Sequence, residues 1–229
     1  MQLMAITNDP VLDARPTHDI RGAMREAFDG FGTGWDDQIR SQVVAMAVAG
    51  GRPVGDIRGV MREAFDGFGS GWRDAYRATV VGAALLGSRP VGEIRSAMRE
   101  AFDGFGTGWN DADRVQVVAS AVAGTRPVGE IRSAMREAFA GFGTGWNDTL
   151  RVDVVSAAVA SDRAVGEIRS AMREAFDGFG TGWSDADRVR VVQAAVGGRD
   201  AIGAVSFIKA ARDNMVAATS ATTLTTPGT

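Results

Sequence analysis

A chain of 229 residues, 45% of them apolar, carries enough hydrophobic side chains for a sizeable core, and its 25 basic and 28 acidic groups leave a formal charge of −3. So even a balance provides no electrostatic footprint for nucleic acid or for an anionic membrane. Cysteine is absent and His18 is the only histidine, which excludes disulfides, thiolate chemistry and any histidine-based triad or metal cluster copied along the chain.

The first ten residues, MQLMAITNDP, contain neither a basic region nor a long apolar run, so no signal peptide is expected. No stretch reaches the ~18 apolar residues of a membrane span. Lys209 is the only lysine, a skew that points to a GC-rich bacterial or phage genome rather than to a physical requirement. The expectation is a protein of the cytoplasm or of a virion, with residues 1–15 forming an N-terminal arm.

Beyond that arm, Trp35, Trp72, Trp109, Trp146 and Trp183 stand 37 residues apart with no insertion between them. Such strict spacing marks structural units stacked one on the next. The units run 16–52, 53–89, 90–126, 127–163 and 164–200. In the third, Ile94, Met98, Ala101, Phe102 and Phe105 recur at helical spacing, with Glu93, Arg95, Arg99, Glu100 and Asp103 on the opposite side. Pro90 suits the first turn of this helix. Gly104 is expected as a left-handed C′ residue, with Phe105 folding back on the last turn.

A second helix follows the loop GFGTGW. Asn110 is a suitable N-cap, and Asp111 and Asp113 favour the positive end of the helix dipole. Val115, Val117, Val118, Ala121 and Val122 then form a broad apolar face that ends at Gly124. The connection to the next unit runs through Gly-Thr-Arg-Pro. Each unit therefore reads as a helical hairpin, and the chain as an all-α solenoid of five such repeats. Residues 201–218 are expected to form a capping helix over the last apolar face, as terminal repeats must. The Ser/Thr-rich tail, 219–229, is expected to be disordered.

Polar and aromatic features recur in every unit, whereas a catalytic site is normally unique within a fold. The sequence therefore argues against an enzyme and for a structural or protein-interaction scaffold, paired with another protein or with copies of itself. The row Trp35, Trp72, Trp109, Trp146 and Trp183 can be read as a stacking platform for a glycan. Sealing the core between neighbouring units is the expected role. The glycine-rich loop opens a helix, as phosphate-binding loops do. Asp111 and Asp113 occupy that helix start and would repel a phosphate.

The loop AFDGFGTGWNDAD is also locally similar to the calcium-binding loop of annexin repeats. That resemblance implies calcium held by loop carbonyls, with Asp29, Asp66, Asp103 and Asp177 beside them, although the fourth unit has Ala140 at this place. An annexin repeat is roughly twice as long and uses a distant acidic ligand that cannot be placed in this sequence. As an EF-hand, the loop offers Arg114 where the twelfth-position Glu is needed. A turn shaped by glycine geometry alone is the expected reading.

Two further patterns concern the helix surfaces. Asp111 and Arg114 are spaced for an i,i+3 pair, and Arg99 with Glu100 recurs in every unit, so an inter-unit ladder of alternating charge is expected. Variation between units falls on the second helix, at Gln42, Thr79, Gln116, Asp153 and Arg190, and at Ile39, Tyr76, Asp113, Leu150 and Asp187. A one-base-per-repeat RNA code would need a basic groove that is missing, so these positions are expected to be solvent-facing.

Overall fold

The computed structural model describes residues 15–198, together with Ala210 and Asp213. The expected N-terminal arm, apart from Arg15, lies outside the described residues, as do the expected tail and all of the expected capping helix but Ala210 and Asp213. Among the described residues every regular element is a helix. In chain order they are α1 (Thr17–Asp29), α2 (Asp37–Ala49), α3 (Val54–Asp66) and α4 (Asp74–Leu86), then a 3₁₀ turn (Val91–Glu93) leading into α5 (Ile94–Asp103). They continue with α6 (Asp111–Ala123), α7 (Val128–Gly141), α8 (Asp148–Ala160) and α9 (Val165–Asp177), and with α10 over 185–198.

Consecutive helices pair as antiparallel hairpins, and the hairpins stack in two layers. Odd-numbered helices pack on odd-numbered neighbours, and even-numbered helices on even-numbered ones. The result is an all-α helical-hairpin array with one apolar core running from Ala23 to Val196.

The odd-numbered helices follow from their stripe. Ile94, Ala97, Met98 and Ala101 of α5 are fully buried, and the same positions recur in α3 and α7. Burying one such Ile or Met side chain contributes about 1.5–3 kcal/mol. The end of α5 departs from expectation. Gly104 has φ −72°, a right-handed conformation, so no Schellman motif forms. Glycine is required there for space, because a Cβ would lie 2.4 Å from Sδ of Met135 in the next unit. The left-handed residue is instead Gly108, at φ 94°, in the turn just before Trp109.

The even-numbered helices begin at side-chain caps. Asn110 Oδ1 accepts from the N–H of Asp113 at 2.9 Å, and Asp36 and Asn147 cap α2 and α8 in the same way. In α4 the cap position is Arg73, which makes no such bond. Helices α4, α6 and α8 are apolar nearly all round and are buried along almost their whole length, as such helices must be. They end where backbones meet closely: a Cβ on Gly87 would lie 2.6 Å from the main chain of Ala123.

That burial corrects the reading of the variable positions. Thr79, Gln116 and Asp153 are buried, as are Ile39, Tyr76 and Asp113, and of the whole set only Arg190 is exposed. Gln116 Nε2 donates to Asp153 Oδ1 at 2.7 Å across one unit step, and Gln193 Nε2 donates to the carbonyl of Asp153 at 3.1 Å. A buried polar group has to find a partner. For Gln116 and Asp153 the partner comes from the neighbouring unit, whereas Thr79 Oγ1 donates to the carbonyl of Ala75 in its own helix and Asp113 bonds Asn110 of its own unit.

Candidate functional site: the repeated loop edge

The loops between the helices of each hairpin line one edge of the array, and the tryptophans lie along it. Trp35, Trp72, Trp109 and Trp146 are half-buried wedges. Trp109 meets Phe105 of its own loop at 5.4 Å between ring centroids, and Phe139 of the next unit at 4.9 Å. Trp35 with Phe65, Trp72 with Phe102 and Trp146 with Phe176 repeat the second contact at 4.8–5.1 Å. Tilted pairs at these distances suit the ring quadrupoles and add to the burial. Trp183 touches only Phe179 among these rings, at 5.3 Å, and is exposed.

The aspartates proposed beside the loop turn towards arginine. Asp29, Asp66 and Asp103 each accept from Nη2 of an arginine one unit on: Arg58 at 2.9 Å, then Arg95 and Arg132 at 2.8 Å. The same three arginines place Nε 3.1–3.2 Å from Glu26, Glu63 and Glu100. The expected charge ladder is therefore present with different partners. Glu100 is held by Arg132 of the following unit, not by its neighbour Arg99. At the fourth step Ala140 removes one carboxylate, and Arg169 keeps only Glu137, at 3.0 Å. Asp177 makes no ion pair among the described residues. No group of three or more His, Cys, Asp or Glu side chains able to hold a metal ion occurs among them either.

A second set of arginines ties each loop to its following helix. Arg40 reaches Asp37 at 3.3 Å and donates to the carbonyl of Gly32, also at 3.3 Å. Arg77 with Asp74 and Gly69, and Arg151 with Asp148 and Gly143, repeat the arrangement. The i,i+3 pair expected for Asp111 and Arg114 thus forms in these other units, while in the third unit it does not come within 4 Å. His18 sits at the exposed start of α1, 3.5 Å from Asp19.

Sequence reasoning missed the arginine that immediately precedes every unit. Arg15, Arg52, Arg89, Arg126 and Arg163 each reach the end of the even-numbered helix of the hairpin that follows. Arg89 Nε donates to the carbonyl of Ala121 at 2.8 Å, and its Nη2 donates to the carbonyl of Arg126 at 2.8 Å. Arg15, Arg52 and Arg126 likewise donate to the carbonyls of Arg52, Arg89 and Arg163 at 2.6–2.8 Å. A continuous string results, in which each guanidinium satisfies helix-end carbonyls at the negative end of the dipole. Burial lowers the pKa of Arg52, Arg89 and Arg126, and the acid four residues on (Asp56, Glu93 or Glu130) opposes this. The signal was the fixed place of Arg before Pro or Ala in every connection.

Between the loops run open grooves. One, of 660 Å³, lies beside Trp35, Phe65, Arg77 and Arg95, and another, of 420 Å³, beside Trp146, Phe176, Arg169 and Arg188. No helix among the described residues is long and apolar enough to cross a membrane. Comparison with protein-family models, with curated proteins and with solved structures gave no match for the chain.

Proposed function

We propose that this chain is a non-enzymatic scaffold, presenting the same surface at a fixed interval to a protein partner or to other copies of itself within a larger assembly. The observation that carries this reading is the economy of the loop edge. The tryptophans and aspartates of that edge, and the arginines along the opposite edge, join one unit to the next at the internal steps, and each arrangement recurs at successive steps. A rigid array built this way fixes the spacing of whatever it displays, which is how repeat proteins recognise extended partners.

The experiment is to recover the full-length chain from the cells it comes from and measure its absolute mass by light scattering behind a sizing column, with and without millimolar calcium. A defined complex well above 24.0 kDa, indifferent to calcium, is the expected result. A 24.0 kDa species whose behaviour changes with calcium would instead favour a ligand-binding module at the loops.

A further inference from the structure

The large apolar side chains left exposed among the described residues all lie at the two ends of the array. Met24 (48%) and Phe28 (58%) belong to α1, and Trp183 (48%) and Val191 (41%) to the last hairpin. Each is half of a contact that recurs inside the chain. Phe28 holds the register position of Phe176, which packs on Trp146, and Trp183 holds the position of Trp146 itself. Met24 corresponds to Met172, fully buried over Gly141, and the glycine that would receive the next methionine, Gly178, meets only atoms of its own helix. Val191 corresponds to the fully buried Val154.

The charges are divided in the same way. Arg132 of one unit grips Glu100 and Asp103 of the unit before it. Arg21, in the position of Arg132, stands exposed at the first end, and Glu174 and Asp177, in the positions of Glu100 and Asp103, stand exposed at the last. None of the three has an ion pair among the described residues. One end thus presents a methionine, a phenylalanine and an arginine. The other presents the glycine, the tryptophan and the two acids that receive those groups at internal steps.

We propose that these two ends are the halves of one further unit step, and that the chain associates head to tail with a second copy, which takes the place of the cap expected from residues 201–218: α1 of one molecule docks against α9 of the next and α2 against α10, odd on odd and even on even as at the internal steps. This deepens the scaffold reading and rests on it. The two surfaces are different patches, so the contact is heterologous. It propagates into a series of copies rather than stopping at a symmetric dimer. Opposite charges at the two ends set the direction and register of docking.

The test is sedimentation velocity on the purified full-length chain over a wide concentration range, with two charge-reversed variants at exposed positions: Arg21→Glu, and Glu174→Arg combined with Asp177→Arg. The wild type should grow beyond 24.0 kDa as concentration rises. Each variant alone presents like charges at both ends and should associate roughly tenfold more weakly or worse. An equimolar mixture of the two should regain association, because every junction in an alternating series is again oppositely charged. A wild type that stays monomeric at the highest concentration overturns the proposal. So does association that both variants retain, or a mixture that stays dissociated. A purified monomer, together with a large complex in the native extract, would sink the head-to-tail contact and leave the scaffold reading standing.

Discussion

Arg89 shows how much one side chain carries in this array. It is buried, its guanidinium donates to the carbonyls of Ala121 and Arg126, and Nη1 lies 3.3 Å from Glu93. Replacing it with methionine keeps much of the volume and removes the donors, leaving the carbonyls of Ala121, at the end of α6, and of Arg126, in the connection, without them. The cost of each such group is about 1–3 kcal/mol, so Arg89→Met should lower the free energy of unfolding by at least that much in a urea titration. Arg89→Lys should recover only part of the loss, because an ammonium cannot span two carbonyls with a planar fork. The residue type was visible in the sequence at every connection. Its role was not, because the carbonyls it meets lie 32 and 37 residues away.

At the scale of the element, the odd-numbered helices were the most legible, because a 3.6-residue stripe such as Ile94, Met98 and Ala101 has one physical solution. Ion pairing was only half legible. Arg99 and Glu100 are neighbours in sequence, yet adjacent side chains on a helix do not face each other, and Glu100 turns to Arg132 instead. The even-numbered helices misled for another reason. Gln116 and Asp153 look like surface residues by type, but their helices are enclosed and the two bond to each other across a unit step. The fourth step offers a direct check, since Ala140 stands where its counterparts are aspartate. Ala140→Asp should restore the missing contact to Arg169 and stabilise the chain by ~0.2–1 kcal/mol, as an exposed pair does. Denaturant unfolding at low salt reads this gain, and high salt should shrink it.

At the scale of the whole molecule, the units form a one-dimensional stack in which interior positions have neighbours on both sides and end positions on one. The same residue type therefore has different weight along the chain. Trp109 is wedged between Phe105 and Phe139, whereas Trp183, the same position two units later, meets no following phenylalanine among the described residues and is exposed. If the tryptophan row exists to seal one unit against the next, its energetic contribution must follow that difference. The measurement is the unfolding free energy of Trp109→Ala beside that of Trp183→Ala, taken at protein concentrations low enough to hold the chain monomeric. Trp109→Ala should lose ~3 kcal/mol or more, as for a large ring removed from a packed site, and Trp183→Ala should lose under ~1 kcal/mol. Equal losses at the two positions, or an unchanged midpoint for Trp109→Ala, would contradict that sealing role.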